Sequence, residues 1–265
     1  MVHRDHAGSH SANDQLVDLF QFLQRFSLLL GDQAIIPCPE SDLMGHDRGN
    51  HGCHTEYAGL QQRLADAIAF DEPSHSFAPD SVFIAGTALE VADSFIAVGL
   101  DRPAPELAGE IDRLLATHTA ASVQMFPMVR EVLAQLIAGG RNVGLATNDA
   151  EEAAREQLEL MEIEQQFSFV AGYDSGHGAK PGPGMVIAFA KQLDLPPAQV
   201  AMVGDSANDM NAALAAGALP IAVASGLAGP EDLRRYTPHV LAGVHELPEF
   251  LDRLSIDMPP EELTR

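Results

Sequence analysis

Positive charge is scarce in this chain. Lysine and arginine number 15 against 38 aspartates and glutamates, a formal net charge of −23 at pH 7. That balance excludes nucleic acid and anionic membrane surfaces as partners, because both demand a basic footprint. Cysteine occurs only twice, too few for a disulfide-stapled scaffold. No apolar run reaches transmembrane length and no cationic segment precedes a clean apolar one, so a cytoplasmic location is expected. Internal repeats and low-complexity tracts are also lacking. With 46% hydrophobic and 20% charged residues over 265 positions, the chain can hold one sizeable α/β core and a smaller accessory domain.

Within that core, three segments share one design. Val200 to Val203 is an apolar run that reads as a buried parallel strand; it stops at Gly204-Asp205-Ser206, and an Ala-rich helix follows through Ala216 to a glycine stop at Gly217. Asp205 thus sits where a strand ends and a helix begins, with Asp209 one helical turn behind it. In open α/β sheets this is where ligands bind, and two carboxylates there suit a hard cation such as Mg²⁺. A second strand runs from Arg141 and terminates in Thr147-Asn148-Asp149, just before a helix from Glu151. A third, Phe169 to Gly172, leads into the glycine-rich loop Tyr173 to Pro181, which delivers Lys180 ahead of a helix from Met185. Each residue also has an ordinary structural role open to it. Thr147 suits a helix N-cap, Lys180 a solvated loop charge, Asp209 an exposed helix position and Gly204-Asp205 a turn and cap.

Taken in order, Leu145-Ala146-Thr147-Asn148, then Lys180-Pro181, then Gly204-Asp205-Ser206-x-x-Asp209 resemble the second, third and fourth motifs of the haloacid dehalogenase superfamily. The chain looks most like its phosphoglycolate phosphatase-type branch, from about Leu64 to about Leu254. The resemblance implies a Mg²⁺-dependent phosphomonoester hydrolase acting on a small phosphorylated metabolite through an aspartyl phosphate. In it, Thr147 binds a phosphoryl oxygen with Asn148 close by, and Lys180 supplies positive charge to nucleophile and phosphoryl group. Asp205 ligates the Mg²⁺, and Asp209 orients the metal's water or Lys180. The competing reading is a catalytically inactive phosphate- or metal-binding homologue.

That second reading arises because the family's first motif, a central strand ending in Asp-x-Asp-Gly-Thr, occurs nowhere in the sequence. The nucleophile is therefore unassigned, and the chain as written is expected to be inactive. In the motif's place lie an amphipathic helix from Gln15 to Leu30 and the segment Gln33 to Cys38, where Cys38-x-Glu40 is a poor substitute flanked by Pro37 and Pro39. Both cysteines and six of the 11 histidines fall in the first 56 residues. Three readings stand: a zinc site from Cys38, His46, His51, Cys53 and His54, an unstructured polar leader, or a beginning replaced through a wrong frame or start site. The third accounts best for the loss of family character before about Gly59.

The fold class expected is α/β, a Rossmann-like parallel sheet core with a small helical cap. Residues 1–56 form the atypical segment, 57–122 the cap, 123–256 the core and 257–265 a frayed tail. Helices are expected at Leu60 to Phe70, Ala88 to Val98 and Pro105 to His118 in the cap. Another opens at Pro127-Met128 and ends at Gly139-Gly140; strands at Pro220 to Val223 and His239 to Leu241 and a helix from Glu246 to Leu254 complete the core. Ser81 to Thr87 reads as a loop between cap and core. Substrate identity and oligomeric state have no readable motif.

Overall fold

The computed structural model describes residues 59–257, apart from 61, 72, 75, 79, 80, 123, 124, 126 and 127. The expectations for the amphipathic helix, Gln33 to Cys38, the zinc alternative and the tail lie outside the described residues. Two compact units divide the chain: one takes residues up to Ile84 and Ala88–His118, the other Ala85–Thr87 and everything from Thr119.

The first unit is mostly helical. Helix α1 occupies 62–67, α2 Val82–Ala85, α3 Ala88–Ala97 and α4 Ala104–Ser122. Along α3 the buried residues Ala88, Val91, Ala92 and Phe95 recur at helical spacing, and Leu107, Ala108 and Ile111 do the same on α4. Together with Leu64, Ile68, Phe70 and Phe77 they make one apolar core. The expected helix from Leu60 to Phe70 stops short of its predicted end. Ala69 takes a left-handed φ of 52°, which an L-residue cannot continue as a helix, and Phe70 turns instead into a two-strand antiparallel hairpin. That hairpin pairs β1 (Phe70–Asp71) with β2 (Ser76–Phe77). The Phe70 and Phe77 rings stand 4.8 Å apart, and the Asp71 carboxylate accepts the Ser74 N–H at 3.0 Å across the turn.

The second unit carries parallel strands alternating with helices. Its order is α5 (Val129–Ala138), β3 (Gly144–Ala146), α6 (Glu151–Leu160), β4 (Phe169–Ala171), α7 (Gly184–Gln192), β5 (Ala201–Gly204), α8 (Ala207–Ala216), β6 (Leu219–Val223), α9 (Pro230–Leu233), β7 (Val240–Leu241) and α10 (Leu247–Asp257). Strand β3 pairs with β4 in parallel, Leu145 opposite Val170. Separately, β5, β6 and β7 pair in parallel, Val203 opposite Ile221 and Ala222 opposite Val240. This is the Rossmann-like parallel core.

Among the described residues, no strand pairs with the free edge of β3 or of β5. Val170, Ala171, Ile221, Ala222 and Val223 are buried, whereas every residue of β3 and β5 is only half-buried. Val143 packs against the apolar clusters of both sheet pieces.

Candidate functional site

The strand ends of the second unit meet around one ammonium group. Lys180 Nζ donates to the Ala146 carbonyl at the end of β3 (2.8 Å) and to Asp209 Oδ1 (2.7 Å). Its side chain is 13% exposed and that of Asp209 is 7% exposed, so Lys180 is not a solvated loop charge and Asp209 is not an exposed helix residue. The carboxylate of Asp209 lies against the end of β5: a Cβ added at Gly204 would come within 2.2 Å of it. One lysine therefore links the end of β3 to the carboxylate that lies against the end of β5.

Asp209 is held there by the start of α8. Ser206 is the N-cap, its hydroxyl accepting the Asp209 N–H at 3.2 Å while the Asp209 carboxylate takes the Ser206 N–H, a reciprocal capping box. Asp209 Oδ2 accepts from Ser206 N at 3.1 Å and Ser206 Oγ at 2.6 Å. Both oxygens of this carboxylate are thus engaged with protein donors. Asp205 is different. It is exposed, its carboxylate lies where a Cβ at Gly226 would sit, and desolvation, then the nearby Asp209 charge, raise its pKa above the ordinary carboxylate range.

Thr147 is half-buried at the end of β3, its N–H donating to the Ala171 carbonyl. It is not the cap of α6: the N-cap there is Ala150, with no side-chain bond, and Asp174 Oδ1 accepts the Glu151 N–H instead at 2.8 Å. Thr147 Oγ1 accepts the Asp149 N–H at 3.1 Å. Asp149 is a group the sequence reading passed over, although it directly follows Thr147-Asn148. Desolvation raises its pKa, opposed by the Thr147 hydroxyl and the charge of Lys180. The residue as a whole is solvent-exposed, so the desolvation is partial.

Asn148, expected beside the substrate, spends its amide on the protein. Nδ2 donates to the carbonyls of Ala85 (2.8 Å) and Lys180 (2.9 Å), and Oδ1 accepts the Lys180 N–H at 2.8 Å. Asn208 also donates to the Ala85 carbonyl, at 2.9 Å. The other end of the lysine loop is laced to α6: Gly172 N–H donates to Ser175 Oγ (2.8 Å), Ser175 Oγ to Glu151 Oε2 (2.5 Å), and Arg155 Nε to Glu151 Oε1 (2.8 Å). Gly172 permits this close approach, since a Cβ there would lie 2.3 Å from the Glu151 nitrogen.

Among the described residues, no three His, Cys, Asp or Glu side chains are grouped to hold a metal ion. Mg²⁺ is commonly bound through one or two carboxylates with waters and substrate phosphate completing the octahedron. Asp205 fits such a part-built site as a direct ligand. Asp209, with both oxygens taken, fits it through Lys180 or a water.

The family model of the haloacid dehalogenase-like hydrolases matches residues 98–223, so this part of the chain, which holds Thr147, Lys180, Asp205 and Asp209, is similar to that family. The curated relatives that it resembles include phosphoglycolate phosphatases. A phosphoglycolate phosphatase of Salmonella paratyphi A is 33% identical over 130 residues, 49% of this chain and 52% of that protein. One from Escherichia coli K12 is 32% identical over the same length and shares. The chain spans about half the length of the curated relatives it matches. A crystal structure of a haloacid dehalogenase-type phosphatase from Thermococcus onnurineus shares the fold, with a TM-score of 0.54 at 18% identity over 90% of this chain and 91% of that one.

Proposed function

We propose that this protein is a Mg²⁺-dependent phosphomonoester hydrolase acting on a small phosphorylated metabolite, in the manner of a phosphoglycolate phosphatase. The observation that carries the reading is the Lys180 ammonium, fixed by Asp209 and the Ala146 carbonyl where the strand ends meet. A charge anchored there before substrate arrives can neutralise phosphoryl oxygens without reorganising during the reaction. Thr147 offers a hydroxyl to a phosphoryl oxygen, and Asp205 holds the cation. The Mg²⁺, when bound, supplies Lewis-acid neutralisation of the phosphate. Asp209 keeps Lys180 oriented. Residues 57–122 act as the cap and 123–256 as the hydrolase core, with 257–265 as a tail. Neither nucleic acid nor membrane is a partner in this reading. Among the described residues no helix is long and apolar enough to cross a membrane.

The second reading, a phosphate- or metal-binding homologue without a nucleophile, rests on the sequence, in which no Asp-x-Asp-Gly-Thr occurs. The full 265-residue chain assayed against a panel of phosphomonoesters separates the two. Turnover that requires Mg²⁺ and is lost in Lys180→Met supports the hydrolase. Phosphate binding without turnover of any ester supports the binder.

A further inference from the structure

We propose that the side chain of Asn148 positions Lys180 and makes no contact with substrate. The inference rests on the phosphoryl-site reading above, and it comes from counting bonding groups. A primary amide has two N–H donors and one carbonyl acceptor. In Asn148 both donors are committed, to the carbonyls of Ala85 and Lys180, and the oxygen accepts the Lys180 N–H. The residue is 8% exposed, and no side-chain donor remains to turn toward a phosphoryl oxygen. The two bonds to Lys180 engage its N–H and its carbonyl together, so the amide pairs with the lysine main chain as a neighbouring strand would. That pairing fixes the point from which the four-carbon stem reaches Ala146 and Asp209. Lysine is a compact charge on a flexible stem, and anchoring its backbone on both sides is what lets Nζ occupy one place. The Ser175–Glu151–Arg155 bonds hold the beginning of the same loop, and Asn148 holds its end.

Only two lysines occur in the chain, Lys180 and Lys191, which makes the inference directly observable. Isotope-labelled lysine in the full-length protein gives two side-chain NMR resonances, assigned with Lys191→Arg. Asn148→Ala is expected to shift the Lys180 signal and leave that of Lys191 in place. Asn148→Asp, which keeps the shape and the acceptor for Lys180 N–H but points oxygen at two carbonyls, is expected to do the same and serves if the alanine variant fails to fold. An unmoved Lys180 resonance in a folded variant would overturn the proposal.

Inorganic phosphate supplies the second arm. Asn148→Ala is expected to weaken its binding roughly tenfold or more in the wild-type background, the scale on which a misplaced group is felt. In a Lys180→Met background the same substitution is expected to change binding less than about twofold, because residues acting through one another are not additive. Equal losses in both backgrounds would show that Asn148 touches phosphate itself, and the proposal would fall. If the wild-type chain binds no phosphate, the phosphoryl-site reading fails, and the lysine resonance still decides the positioning role by itself.

Discussion

Replacing Asp209 by asparagine tests how far the fold depends on the charge pair at its centre. The substitution keeps an oxygen for Ser206 N–H and Oγ, so the cap of α8 is retained, but it leaves the Lys180 ammonium with the Ala146 carbonyl alone. The two side chains are 13% and 7% exposed and 2.7 Å apart. Removing one partner of a buried pair costs about 3–5 kcal/mol, because the surviving charge stays desolvated. Residual exposure at Lys180 puts the expected loss near the lower end, about 3 kcal/mol, a large share of the ~5–15 kcal/mol of a typical domain. Asp209→Ala also removes the capping acceptor and is expected to cost about 1 kcal/mol more. The double variant Lys180→Met with Asp209→Asn is expected to lose less than the sum of the single changes, by about 2 kcal/mol. Urea denaturation followed by far-UV circular dichroism measures the totals, and hydrogen exchange across residues 201–217 localises them. A loss below about 1 kcal/mol for Asp209→Asn, or strict additivity, would refute the reasoning.

Other outcomes follow from the same geometry. Gly226→Ala places a methyl 2.3 Å from Asp205 Oδ2 and is expected to lower Mg²⁺ affinity by roughly tenfold while the melting temperature stays close to wild type, since the lost group is one carboxylate ligand; unchanged calorimetric affinity contradicts it. Asp205 has its pKa raised in the fold, so the native state binds its proton more tightly than the unfolded chain, and stability falls as pH rises through the carboxylate range. Asp205→Asn is therefore expected to raise the melting temperature of the metal-free protein at pH 7 while abolishing Mg²⁺ binding; a lower melting temperature counts against the desolvation argument. Glu151 runs the other way: Ser175, then Arg155, hold its pKa below the ordinary value. Its contribution is present above the unfolded pKa and lost as pH falls through the lowered one. Amide protection factors in residues 172–181, taken relative to the intrinsic exchange rate at each pH, should fall on acidification in wild type, and Glu151→Gln should remove that pH dependence.

How much of this was legible in the sequence differs from residue to residue. The strands ending at Thr147, Gly172 and Gly204 declared themselves because each is a short apolar run cut off by turn residues, a purely local signal. The same local signal gave the α8 start, where Ser206 and Asp209 stand three apart. What Asn148 does was hidden, since its three partners lie 32 and 63 residues away and only the fold brings them together. The environment of Asp149 was hidden for a like reason: its neighbour Lys180 arrives on a distant loop. The hairpin of Phe70 and Phe77 has two-residue strands, too short to show a period of two, and its helical neighbour absorbed it.

The measurement that bears most directly on the site is calorimetric binding of inorganic phosphate to the full chain, with and without Mg²⁺, beside Lys180→Met. Phosphate binding that strengthens with Mg²⁺ and is weakened roughly tenfold or more, though still measurable, in Lys180→Met is the predicted result. Failure to bind phosphate in the presence of Mg²⁺, or binding indifferent to the loss of Lys180, would contradict the assignment of this crevice to phosphoryl chemistry.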